Sequence, residues 1–145
     1  MRPASRSARF RLTSGAVDVV ETIHRFVGYA ISGGFLLLAL LAAYALIRNI
    51  EASGFFWGLL GVLQVVVGIQ FIVGAAMFIS GRRPASNGPE FLHYVYGAFF
   101  PALVLGVAHW RARKVKVAPW LIFGVAAFVC AFSTFRAVQT GLGID

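Results

Sequence analysis

Residues 26–47 read FVGYAISGGFLLLALLAAYALI, and from Phe26 to Ile47 there is no Asp, Glu, Lys or Arg. A bilayer presents about 30 Å of hydrocarbon, which about 20 apolar helical residues cross at about 1.5 Å each. Three further runs share the property: Ala52–Gly81, Phe91–Trp110 and Val117–Phe135. In lipid the backbone must satisfy its own hydrogen bonds, so each run reads as a helix. The prediction is an all-α integral membrane protein, an up-down four-helix bundle with spans near 19–47, 54–80, 90–110 and 117–138.

Composition points the same way. The 145 residues are 59% hydrophobic and 12% charged, with a mean hydropathy of +0.82. Soluble domains carry about 45–50% apolar and about 25% charged residues, so a disordered chain and a water-soluble globule are both excluded. The formal charge of +8 sits in the tail and connections, where it meets anionic headgroups and gives no reason to invoke nucleic acid. The single Cys130 lies inside the fourth run and cannot form an internal disulfide. The first apolar run is too long for a cleavable signal peptide.

Between the runs the chain is short and polar. Residues 1–13 form a basic tail with Arg2, Arg6, Arg9 and Arg11; Ser14 is the expected cap of the first helix, with Asp18 and Glu21 in its early turns. Glu51-Ala52-Ser53-Gly54 turns into the second helix. The stretch from Gly81 to Pro89 pairs Arg82-Arg83 with two prolines and is a loop. The linker Arg111–Lys116 and then Pro119 introduce the fourth helix. Basic residues flank the bundle six against five, so charge leaves the membrane orientation open.

Two of the three histidines share a pattern. Helix one carries His24-Arg25-Phe26-Val27-Gly28 and helix three His93-Tyr94-Val95-Tyr96-Gly97, both H-x-x-x-G. Helices one and three run parallel in an up-down bundle, and both histidines stand near their starts, which brings them to one side of the membrane. A glycine one turn along the same face leaves room for a flat macrocycle against the backbone. The chemistry fits a bis-imidazole haem with His24 and His93 as axial ligands and Gly28 and Gly97 beside it. Interhelical hydrogen-bonding histidines are the alternative. Ligation requires the hydrocarbon layer to extend below Phe26 on helix one.

Arg25 is placed for a haem propionate or for snorkelling to the interface. Glu21, one turn before His24, suits an acid/base role or the helix dipole. His109, beside Trp110 at the far end of helix three, has no histidine partner at its level and reads as part of the interfacial belt. In helix two, Gln64 and Gln70 are candidates for interhelical hydrogen bonds or for the edge of a haem or quinone. No CxxC, HExxH, Walker or G-x-S-x-G element occurs, so metallohydrolase, NTPase and esterase readings lack support.

The segment Glu21-Thr22-Ile23-His24-Arg25 resembles the E-x-x-H-R segment of haem A synthases. Leu63-Gln64-Val65-Val66-Val67-Gly68 is similar to that family's LQ-x-x-x-G helix, and Leu92-His93 to its next helix. The resemblance implies a four-helix half-unit holding haem between His24 and His93, with Glu21 at the acidic position; Gln64 stays a candidate cofactor contact from the reading of helix two. Members of the usual type have eight helices in two halves, whereas this chain has one half, one histidine pair and no cysteine pair. The H-R-x-x-G string is also similar, over less of the chain, to cytochrome b membrane anchors.

The expected function is therefore a multi-pass b-type haem protein with one haem b per chain, serving electron transfer or haem handling near a respiratory complex. A half-size haem A synthase using Glu21, an oxidoreductase, and a haem-free accessory subunit are the alternatives. Expected partners are the lipid bilayer, a respiratory or redox membrane complex or a second copy of the chain, and a quinone. A prokaryotic cell membrane is the expected location.

Overall fold

The computed structural model describes residues 6–85 and 87–144, with side chains from Val19 onward. Residues 1–5 of the expected tail, Arg2 among them, lie outside the described residues. Helix α1 spans Arg6–Arg48, α2 Gly54–Ile79, α3 Phe91–Ala112 and α4 Pro119–Gly141, and no strand occurs among the described residues. All four are long and apolar enough to cross a membrane, the membrane-spanning part of α1 running from Val19 to Arg48. The protein is an all-α four-helix membrane bundle.

Helix α1 starts at Arg6, not at Ser14. Ser14 is an interior residue, so the expected cap is corrected: helical hydrogen bonding continues through Arg9 and Arg11. The other boundaries follow local chemistry. Asn49 takes a left-handed φ of 51°, and the Ile50 and Asn49 amides return to the Ala45 and Leu46 carbonyls at 3.0 and 3.1 Å. That is a Schellman ending, which satisfies the last carbonyls of α1. Gly81, at φ 85°, closes α2 in the same way through the Met77 and Phe78 carbonyls. A side chain there would be strained, so glycine sets the point where the chain leaves the membrane.

Helix α3 is not uniformly α-helical. A π-turn, Val95–Phe99, separates Phe91–Tyr94 from Phe100–Ala112, and the Phe100 amide reaches back to the Val95 carbonyl. Pro101 explains it: a proline has no N–H for the carbonyl four residues back, here Gly97, and its ring crowds that carbonyl. The ladder accommodates the missing bond by widening one turn.

The core is the α1–α4 interface. Phe35, Leu38 and Ala42 of α1 are buried against Ala127, Cys130 and Ala131 of α4. Small residues allow this approach; a Cβ on Gly124 would collide with Ala42. Thr134 donates to the Cys130 carbonyl of its own helix at 2.7 Å, and the single Ser32 proton is shared between Thr134 Oγ1 across the interface at 3.0 Å and the Gly28 carbonyl at 3.1 Å. Half of the apolar window of α4 is buried but only 6% of that of α2, which makes α4 the central helix and α2 the peripheral one. Outward residues such as Val65, Ile69 and Ile72 of α2 match the acyl chains of lipid. Apart from the neighbourhood of the π-turn, the α2 and α3 backbones stay apart, and a cavity occupies the gap.

Candidate functional site

The cavity, about 530 Å³, lies at the end of the bundle where α3 begins and α2 and α4 end, against residues 21–31 of α1. Its size falls within the roughly 300–1,000 Å³ of small-molecule and cofactor sites. His24 and His93 both line it, with ring centroids 6.4 Å apart and planes at 52°. Both histidines lie within helical stretches long and apolar enough to cross a membrane, Val19–Arg48 and Phe91–Ala112.

Each ring is held differently. His93 Nδ1 is 2.8 Å from the Ala137 carbonyl of α4. A carbonyl only accepts, so Nδ1 carries the proton and Nε2 keeps its lone pair. Gly141 lets the ring lie against α4: a Cβ there would be 2.9 Å from His93 Cε1 and 3.0 Å from Nδ1. On the other side, Gln70 Nε2 donates to the backbone carbonyl of His24. The His24 ring packs on α2 at Gly74, where a Cβ would stand 3.4 Å from Cε1, at ordinary contact. His24 Nδ1 is buried and has no hydrogen-bond partner. A buried ring nitrogen left unsatisfied calls for an explanation, and coordination to a bound group is one.

With centroids 6.4 Å apart, the two rings are near enough that His24 and His93 would both hold a metal placed between them. Among the described residues no group of three or more His, Cys, Asp or Glu gathers to hold a metal ion. Two imidazole donors face the cavity, a set that could serve the axial positions of a haem iron.

The expected site residues divide. Glu21, Arg25, Gly28 and Gly97 line the same cavity as the histidines. The two glycines also let α4 approach: a Cβ on Gly28 would be 3.1 Å from Val138 Cγ2, and one on Gly97 3.3 Å from Ala137 Cβ. Glu21 ion-pairs with Arg82 at 2.8 Å, its side chain 60% exposed. Gln64 is elsewhere, which corrects its expected place beside the cofactor. Its amide N–H donates to His109 Nε2 at 2.9 Å, and Gln70, six residues on, lines the cavity instead. His109 stands sixteen residues, or about 24 Å of helix, from His93. It links α2 to α3 and packs edge-on to Phe123 at 4.8 Å, so it is more than a belt residue. Trp120 at that end donates to Glu51 at 2.8 Å and ties the α1–α2 turn to α4.

Sequence reasoning missed Gly74, Gly141, the Ala137 carbonyl and the mouth of the cavity. The α2–α3 loop covers that mouth. The Ala85 amide bonds the Gly141 carbonyl at 3.3 Å and the Asn87 side chain the Gly143 carbonyl at 2.7 Å, which dock the loop on the end of α4. Tyr94 and Phe78 meet edge to face at 5.3 Å between α3 and α2. The chain matches no family model, no curated protein and no solved structure.

Proposed function

We propose that this chain is a membrane haem protein of the b type that carries electrons, with His24 and His93 as axial ligands. The observation that carries the reading is the facing pair itself. The two rings share one cavity with centroids 6.4 Å apart, and the Ala137 carbonyl accepts from His93 Nδ1–H, which leaves the Nε2 lone pair free for a metal. Bound haem supplies a one-electron couple, and its potential answers to the axial ligands and to the hydrogen bond behind one of them. The residues do the positioning: Gly141 seats the His93 ring, the His24 ring packs at Gly74, and Val67, Phe71 and Val138 give the cavity apolar walls.

Electron transfer is favoured over haem oxidation by two features. Ligation by both histidines leaves no open axial position, which oxygen chemistry at iron requires. Glu21, the acid that a haem A synthase-like reaction would use, lines the cavity but is 60% exposed and paired with Arg82. A respiratory or redox complex is the natural partner class for such a carrier.

A reduced-minus-oxidised spectrum of the purified chain tests the proposal. We expect a low-spin bis-imidazole signature in the wild type and a high-spin or haem-free protein in His24→Ala and His93→Ala. Retention of the wild-type spectrum in both variants would refute it. Extraction of haem a from the chain would favour the synthase reading.

A further inference from the structure

The walls of the cavity are apolar but its mouth is not. Arg25 enters from α1, Arg82 and Arg83 from the loop after α2, and Glu21 from α1; these four are the charged residues of the lining. Glu90, outside the lining, stands 3.7 Å from Arg83, so three cations meet two carboxylates and the mouth keeps an excess of positive charge. An uncharged or purely apolar ligand has no use for that charge. A planar tetrapyrrole carrying carboxylates on one edge would use it, and its amphiphilic shape matches the polarity of the cavity.

The four residues are not equivalent. Arg83 is committed: its guanidinium lies 4.0 Å over the Phe78 ring, donates to the Phe78 carbonyl at 2.8 Å and stands 3.7 Å from Glu90. Arg82 is held by Glu21 at 2.8 Å, a bond that joins the loop to α1. Arg25 makes no hydrogen bond or ion pair among the described residues. One arginine is therefore ready for a carboxylate, and a second is occupied by the protein's own carboxylate.

We propose that the mouth is a dicarboxylate site in which Arg25 and Arg82 hold the two carboxylates of the tetrapyrrole, and that Glu21 is the internal competitor displaced from Arg82 when the ligand enters. This assigns Glu21 a role in selecting and orienting the ligand, with no acid/base function. The inference rests on the haem reading above. It adds which edge of the ligand faces outward and what discriminates it from an uncharged macrocycle. Guanidinium–carboxylate bonds are charge-assisted and bidentate, so they fix orientation as well as contributing affinity. A competitor also makes the direction of one substitution diagnostic. If Glu21 opposes the ligand, its neutralisation tightens binding; if Glu21 merely braces the loop, its neutralisation loosens binding.

The test uses the full chain in lipid nanodiscs without haem, titrated with iron protoporphyrin IX and separately with its dimethyl ester, and read by the Soret band. Partition into empty nanodiscs is subtracted for each compound. In the wild type the diacid should bind about tenfold or more tighter than the diester, both giving the bis-imidazole spectrum. Arg25→Gln and Arg82→Gln should each remove most of that preference without changing diester affinity. Glu21→Gln should strengthen diacid binding several-fold and leave the diester unchanged. These side chains lie at the mouth, outside the α1–α4 core, and circular dichroism checks that each variant keeps its helices. Equal affinity for diacid and diester, or weaker diacid binding in Glu21→Gln, overturns the inference while leaving the haem reading intact. Failure of both compounds to give the bis-imidazole spectrum overturns the haem reading and the inference with it.

Discussion

Gly141 offers the sharpest probe of how the site is held. Alanine at this position adds one methyl group, which would sit 2.9 Å from His93 Cε1 and 3.0 Å from Nδ1. Ordinary contact needs the ring to retreat by about half an ångström. Its bond to Ala137, now 2.8 Å, would then stretch to about 3.3 Å, past the roughly 3.2 Å limit of a sound N–H···O bond. Losing that bond costs about 0.5–1.5 kcal/mol, and residual crowding about as much again. A total near 1.5 kcal/mol corresponds to roughly tenfold in haem affinity. Gly141 is the last residue of α4, so it gains little of the roughly 0.8–1.0 kcal/mol by which alanine beats glycine in a helix interior. Gly141→Ala should therefore lower haem affinity and alter the low-spin signal. In the haem-free chain the unligated ring can turn away from the methyl group, so that chain loses at most the His93–Ala137 bond and melts at or slightly below the wild-type temperature. Haem titration beside thermal circular dichroism reads both quantities. Gly33→Ala is the control, since a Cβ there meets nothing within 4 Å. Wild-type haem affinity in Gly141→Ala would refute the argument that the ring is clamped between Ala137 and Gly141.

His109→Ala should leave the haem spectrum unchanged, because His109 lies at the other end of the bundle, and should destabilise by only about 0.6 kcal/mol through loss of the Gln64 bond, measured by unfolding in mixed micelles. Gly28→Leu and Gly97→Leu should reduce haem content by forcing α4 outward at Val138 and Ala137 while all four helices stay inserted; pigment per chain and protease accessibility check this, and full occupancy in both variants would contradict it. Thr134→Val should weaken the α1–α4 interface by about 0.6 kcal/mol, because Ser32 loses its partner across the interface but keeps its bond to the Gly28 carbonyl.

Much of this architecture was legible in the sequence because lipid imposes few solutions. Uncharged runs such as residues 26–47 had to be helices, and short connections had to make neighbours antiparallel. That topology brought His24 and His93 to one end without any knowledge of packing. What escaped depends on helix register. A backbone carbonyl such as that of Ala137 has no signature in the sequence, and it meets His93 only because α4 is turned to present it. Gln64 and Gln70 are six residues apart, far from a whole number of turns, so they project to different faces and only packing decides which meets the cavity. Ser14 was misread for a different reason: capping propensity is local, and a helix that continues past a good cap residue overrides it. The π-turn did carry a signal, Pro101 within an apolar run, whose missing N–H predicts a disturbed ladder near Gly97.

The division of labour among the helices bears on why a carrier fits this site. One proposed ligand stands on α1, and the other, on α3, is hydrogen-bonded to α4. Those two helices form the closest interface of the bundle, through small residues and the Ser32–Thr134 bond. The cavity wall supplied by α2 belongs to the least buried helix. The His24 backbone belongs to the tightly packed α1–α4 pair, and the His93 ring is tied to it through the Ala137 carbonyl. An electron carrier needs such anchoring, since ligands that keep their positions in both oxidation states keep the reorganisation small. A haem-modifying enzyme needs a mobile or vacant axial position at the reacting cofactor. The packing ties both imidazoles to the closest interface of the bundle, and on the proposed reading that places the function in electron transfer.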